Sequence, residues 1–148
     1  VLKVHALWKS LIPEICETYA YANPSAELTY QALPPPPINS SAPNSLGFSP
    51  HEPHLTSLVF LQIVFTFDGA DATAGFDKGL KDLIEVVEEL TQEEGVYHPY
   101  KYLNFAAWFQ DPLGSYGKEQ KNRLKEVARK YDPTGLFQKQ VPGGFKLW

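Results

Sequence analysis

Seven of the thirteen prolines fall between residues 34 and 54, at Pro34 to Pro37, Pro43, Pro50 and Pro53. Each removes a backbone donor and fixes φ, so neither a helix interior nor a paired strand can run through this stretch. It reads as an irregular loop, and long loops of this kind often border a site. Whatever regular structure the chain has must lie before or after it.

Before it, Val4, Leu7, Trp8, Leu11, Ile12, Ile15, Cys16 and Tyr19 recur at three- and four-residue steps, the stripe of an amphipathic helix over residues 1 to 20. Pro13 inside that stripe predicts a kink or a second helical start at Ile12. Asn23, Pro24 and Ser25 form a turn. Ala26 to Leu33 alternates as a strand, with Leu28, Tyr30 and Ala32 on one face and Glu27, Thr29 and Gln31 on the other.

After the loop, Leu55 to Phe67 is rich in Val, Ile and Phe and predicts a long strand, with Thr56, Gln62 and Thr66 on one face. Asp68 to Ala74 is a turn. Phe76, Leu80, Leu83, Ile84, Val87 and Leu90 mark a helix that Gly95 stops, and Glu85, Glu88, Glu89, Glu93 and Glu94 make its outer face a solvated acidic one. Tyr97 to Phe109 is an aromatic connector without a clean period. Ser115 is placed to cap a last helix carrying Leu124, Val127, Ala128 and Tyr131, ended by Asp132, Pro133 and Gly135. The order helix, strand, strand, helix, helix predicts an α+β fold, an antiparallel sheet with helices packed on one face. At 148 residues the chain is expected to be a single domain, with a sheet-and-helix part over 1–114 and a C-terminal helix and tail over 115–148.

Composition narrows the function classes. With 43% hydrophobic and 20% charged residues the chain belongs with packed domains, and its net charge of −4 supplies no basic field for nucleic acid or anionic lipid. The lone Cys16 makes no internal bridge and fits a reducing compartment, and the longest apolar run, Leu58 to Phe67, is too short to span a bilayer. A cytoplasmic protein without a nucleic-acid or membrane partner is expected. Val1 is compatible with a removed initiator Met or with a cut inside a longer chain.

Few residues carry chemistry on their own. Thr29 and Gln31 on one strand and Gln62 on the other form a polar patch if their faces coincide, either solvated or lining a pocket where buried amides need partners. His51-Glu52-Pro53-His54 lacks the helical spacing that aims two imidazoles at one metal, and His5 and His98 stand alone. Cys16 is expected to be a small buried hydrophobe with no cation nearby to activate it. There is no nucleophile elbow, phosphate-cradling Gly-rich loop or paired metal-spaced cysteines, and no metal is expected.

Other segments are more specific in combination: Tyr102-Leu103-Asn104-Phe105-Ala106, Tyr131 through Gln138, Pro142 through Lys146, Tyr30-Gln31-Ala32-Leu33-Pro34 followed by Asn44-Ser45-Leu46-Gly47, and Phe65 to Asp71. Together, from about residue 5 to 147, they resemble the C-terminal, substrate-domain part of the FAD-linked oxidoreductases of the berberine bridge enzyme type, above all the fungal ones. The resemblance implies an antiparallel substrate sheet beside a flavin held mainly by an N-terminal domain that this sequence does not contain. It puts Asn104 and Tyr102 beside the flavin. It also implies a tyrosine near the catalytic base at position 105, where this chain has Phe105, and an acidic residue at 107, where it has Ala107. A phenyl ring and a methyl cannot move a proton.

Three functions are therefore open. In the first, a free-standing, truncated relative of natural-product biosynthesis works without a cofactor, binds a hydrophobic small-molecule intermediate and promotes a non-redox cyclisation or isomerisation. In the second, the chain is a fragment or subunit of a complete FAD-dependent oxidoreductase. In the third it is a binding protein without catalysis. If it is an enzyme, Asn104, Gln31 and Tyr102 are the expected catalytic residues, and Gln62, Thr29, Trp108, Phe105 and Phe109 are expected to bind substrate. Trp108, Phe109, Phe137, Phe145 and Trp148 lie where the family faces its flavin domain, and covering them calls for a homo-oligomer.

Overall fold

A computed structural model describes residues 1–34 and 58–148. The loop expected from Pro35 onward, Leu55 and Thr56 of the second strand, the His51 to His54 cluster and Asn44 to Gly47 lie outside the described residues. The fold is α+β with one two-stranded antiparallel sheet. The chain divides into two compact units, residues 1–32 with 59–98 and residues 33–58 with 99–148. The boundary expected after residue 114 falls inside the second.

In the first unit, α1 spans Leu2–Thr18 and runs without a break through Pro13, so no second helix starts at Ile12. A single 3-10 turn, Ala20–Ala22, leads to Asn23, whose left-handed backbone (φ 49°, ψ 53°) suits the short amide side chain that tolerates this region. β1 is Ser25–Leu33 and β2 is Leu58–Thr66. Along β1 exposure alternates as the sequence predicts. Ala26, Leu28 and Tyr30 are half-buried, while Glu27, Thr29 and Gln31 are exposed. Ala32 departs from the pattern and is exposed.

A second 3-10 turn, Ala70–Ala72, precedes α2, Thr73–Glu93. Its buried residues Phe76, Leu83 and Val87 keep the periodicity read from the sequence, and Glu85, Glu89, Glu93 and Glu94 are exposed as expected. The helix ends as Gly95 implies. Gly95 has φ 67°, its N–H donates to the Gln92 carbonyl at 3.0 Å, and the Val96 N–H donates to the Thr91 carbonyl at 2.9 Å. These two bonds satisfy carbonyls that the end of a helix leaves open.

Both helices cover one face of the sheet. Val4 and Ile12 of α1 meet Leu83 and Val87 of α2, with Ala26, Leu61, Ile63 and Phe65 of the strands packed against them. A second cluster joins Ala22, Ala72 and Phe76 to Ile15, Tyr19, Phe65 and Phe67, and the Phe67 and Phe76 rings stack at 4.3 Å. Two glycines let the helices approach. A β-carbon at Gly75 would stand 2.1 Å from Cζ of Tyr19, and one at Gly79 would stand 3.3 Å from Ile15.

The second unit holds a 3-10 turn at Leu103–Phe105, a short α3 (Pro112–Ser115), α4 (Lys118–Tyr131) and a short α5 (Leu136–Lys139). Ser115 does not cap the long helix. It ends α3, and α4 starts after Gly117, whose φ of 86° turns the chain. Asp111 is the capping residue instead, accepting from the Gly114 N–H at 2.8 Å, with Pro112 in the first turn where its missing N–H costs nothing. Asp132 closes α4 as predicted and also starts α5, accepting from the backbone of Leu136 (2.8 Å) and Phe137 (3.0 Å). The tail folds back on α5. Lys146 Nζ donates to the carbonyls of Phe137 and Val141, and the Leu147 N–H donates to Gln138 Oε1.

Candidate functional site

The expected site residues divide between the two units. In the first, Leu61, Ile63 and Phe65 of β2 pack toward the helices, which turns Gln62 to the opposite face. Ala26 does the same on β1 and turns Thr29 and Gln31 outward. All three polar residues therefore occupy the face of the sheet opposite α1 and α2. Thr29 and Gln31 are exposed and Gln62 is half-buried. Cys16 is half-buried against the core, and burial raises its thiol above the ordinary range, so it stays protonated at neutral pH. His5 is exposed and stacks on Trp8 at 6.0 Å.

The second unit gathers Tyr102, Asn104, Phe105, Trp108 and Phe109 within one short stretch. Its extended backbone at Tyr102, the 3-10 turn, and the return to extended backbone at Ala106 set the spacing. Asn104 Nδ2 donates to the Tyr102 hydroxyl at 3.0 Å, and the Tyr102 ring meets Phe105 edge-on at 5.2 Å. Trp108 meets Phe109 edge-on at 5.8 Å. Phe105 is 53% and Trp108 74% exposed, whereas Phe109 is half-buried. The result is a ledge of aromatic faces with one amide–phenol couple at its edge.

Two residues that the sequence reading passed over belong to the same ledge. Tyr100 and Tyr116 stack at 5.7 Å with ring planes 19° apart, and Tyr116 is buried. Burial, with the neighbouring phenols Tyr116 and Tyr102, pushes the Tyr100 phenol up to about 12. Burial also raises Tyr116, and the Leu103 backbone partly opposes the shift. Both groups therefore keep their protons across the physiological range. The buried Tyr116 hydroxyl has no hydrogen-bond partner among the described residues. The clue in the sequence was the tyrosine density of residues 97 to 102, which has no helical or strand period to assign it a face.

The ledge can stack a flat apolar molecule and offer hydrogen bonds to oxygen or nitrogen at its rim. Between Leu103 and Phe109 there is no ionisable side chain. Among the described residues no cluster of His, Cys, Asp or Glu could hold a metal, and no helix is long and apolar enough to cross a membrane.

Comparison with known proteins finds relatives among fungal proteins named FAD-dependent monooxygenases. The chain is 49% identical over 69 residues to an FAD-dependent monooxygenase of Fusarium proliferatum, covering 47% of this chain and 13% of that protein. It is 33% identical over 125 residues to an FAD-dependent monooxygenase of Cercospora nicotianae, covering 81% of this chain and 26% of that protein. A third relative, the bifunctional solanapyrone synthase of Alternaria solani, is 47% identical over 66 residues, 45% of this chain and 13% of the synthase. The chain thus spans between about an eighth and a quarter of the relatives it matches. No protein-family profile matches it. No solved structure matches it.

Proposed function

We propose that this chain is the substrate-side part of a flavin-dependent oxidoreductase of the berberine bridge enzyme type that acts on a hydrophobic intermediate of natural-product biosynthesis. The observation that carries the reading is the Asn104–Tyr102 couple at the edge of exposed aromatic faces, in a chain whose relatives are named FAD-dependent monooxygenases. That set of groups fits the ring of a flavin, which needs flat apolar contact and amide or phenol hydrogen bonds at its rim. It does not fit a pyrophosphate, which needs converging backbone N–H groups. Asn104 and Tyr102 would therefore hold the ring end alone. When bound, the flavin supplies the two-electron oxidation. Phe105 and Trp108 stack the substrate, and Tyr102, oriented by Asn104, donates a hydrogen bond to a substrate oxygen.

Phe105 and Ala107 favour a second reading, in which the chain promotes a cyclisation or isomerisation without redox chemistry. Neither side chain accepts a proton. The rate gain then comes from holding a flexible substrate in a reactive shape and from hydrogen bonds to a carbonyl gaining charge. The name of the Alternaria solani relative, a bifunctional synthase, fits a scaffold that supports more than one reaction. Purified protein separates the two. A stoichiometric visible flavin band supports the oxidoreductase. A colourless protein that turns over a candidate intermediate, with Asn104→Ala lowering the rate roughly tenfold to a thousandfold, supports the non-redox reading. Absence of both flavin and turnover in the full-length protein that contains this chain refutes both. On the non-redox reading, in which no flavin domain faces them, a second copy of the chain covers the exposed rings of Phe137 and Trp148.

A further inference from the structure

We infer that Tyr100 and Tyr116 are positioning residues for the Tyr102–Asn104 couple. The inference rests on the reading of that couple as the ligand-contacting group. The two residues of the couple flank Leu103, and three contacts fix the backbone around them. The Lys101 N–H donates to Ser115 Oγ at 2.9 Å, and the Ser115 hydroxyl in turn donates to the Pro112 carbonyl at 2.6 Å, which ties the segment entering Tyr102 to α3. Tyr100 stacks on Tyr116 one residue before that tie. Tyr116, the ring on which Tyr100 stacks, is itself buried and so holds a fixed place.

α3 is in turn closed by the Asp111 cap, and Asp111 pairs with Lys121 of α4 at 3.2 Å. The stretch carrying Tyr102 and Asn104 has no long helix or strand of its own to hold it. Its geometry is therefore set by the platform beneath. A hydrogen bond is directional, weakening steeply once its angle falls below about 120°. Small rotations at Leu103 would separate an amide from a phenol two residues away.

The ligand class follows from what the platform holds in place. A planar compound bearing carbonyl or phenolic oxygen at its edge matches aromatic faces with hydrogen-bonding groups at one rim.

The test uses nitrogen-15-labelled protein and the side-chain amide signal of Asn104, identified by its loss in Asn104→Ala. Tyr102→Phe gives the position of that signal without the phenol. Tyr100→Leu is expected to move the signal toward that position, and Tyr100→Phe, which keeps the stacked ring, to restore it. Tyr116→Leu, which removes the ring under Tyr100, is expected to move it as well, and Tyr116→Phe, which keeps that ring, to leave it in place. An Asn104 signal at the wild-type position in both Tyr100→Leu and Tyr116→Leu overturns the inference.

The underlying reading is tested separately with anthraquinone-2-sulfonate, a planar diketone, followed by quenching of tryptophan fluorescence. Tyr102→Phe should weaken its binding about threefold to tenfold, the worth of one net hydrogen bond. If Tyr102→Phe leaves the affinity unchanged while Tyr100→Leu still moves the Asn104 signal, the platform stands and the assignment of the couple to a ligand falls.

Discussion

Gly75→Ala is a substitution whose sign the local helix rule gets wrong. In an exposed helix interior, alanine stabilises by about 1 kcal/mol over glycine because it loses less backbone freedom on folding. Gly75 lies in the first turn of α2, and a β-carbon there would sit 2.1 Å from Cζ, 2.2 Å from Oη and 2.5 Å from Cε1 of Tyr19. Ordinary carbon contacts are about 3.5 to 4.0 Å. The tyrosine ring must therefore retreat by more than ~1 Å. It cannot turn aside without cost, because it packs on Phe76 at 5.1 Å, and Phe76 stacks in turn on Phe67 and touches Phe65. Overpacking of this kind costs about 1 to 3 kcal/mol. Set against the propensity gain of about 1 kcal/mol, the net is a destabilisation of up to about 2 kcal/mol.

The decisive experiment is a double-mutant cycle read by urea unfolding, with the midpoint compared at constant slope. In the Tyr19→Ala background the clash is gone, and Gly75→Ala should become stabilising. A substitution that stabilises the wild type, or that destabilises both backgrounds equally, refutes the idea that Tyr19 sets the sign.

Asp111→Ala removes the cap of α3 and the partner of Lys121 and should cost about 0.5 to 2 kcal/mol in the same unfolding assay. The Gly114 N–H above all, and Lys121 after it, hold the Asp111 carboxyl below its usual range. Its contribution is therefore complete above the ordinary carboxylate range and fades as acid takes the pH down through its lowered value. A pH–stability profile should show that loss in the wild type and not in Asp111→Asn. At the alkaline end, Tyr100 and Tyr116 ionise more readily unfolded than folded, so stability should fall as the pH rises from about 10 toward about 12. Tyrosinate absorbance should show a late step that Tyr100→Phe removes. On the non-redox reading, light scattering at tens of micromolar should find a closed oligomer, and a monodisperse monomer would argue against pairing through Phe137 and Trp148.

What could be read from the sequence follows from how the chain repeats. The α2 stripe and the β1 alternation have periods that only one element satisfies, so Phe76, Leu83 and Val87 could be assigned to the core and Thr29 and Gln31 to a shared strand face, although the period does not say what that face meets. Asn104 and Tyr102 stood out through resemblance, not through period. Tyr100 and Tyr116 were missed because their association depends on how α3 folds back, and that depends on Asp111 rather than Ser115 taking the capping role. Two candidate caps four residues apart cannot be ranked without knowing where the helix begins. Gly75 was equally silent, since a glycine within an apolar stripe reads as a weak point until the ring occupying its missing β-carbon is seen.

Pro13 gives α1 an uneven resistance to opening. Its missing N–H leaves the Lys9 carbonyl without its bond in the ladder, although the helix continues on both sides. The stretch before it is anchored by Val4 and Ile12 in one cluster, and the stretch after it chiefly by Ile15 and Tyr19 in the other, with Cys16 alone reaching back to the first. Native-state hydrogen exchange should therefore divide the amides of this single helix into two groups, each tracking the cluster that anchors it. The first turns can detach while Tyr19 stays locked over Gly75. The helix behaves as one rod in shape and as two pieces in time.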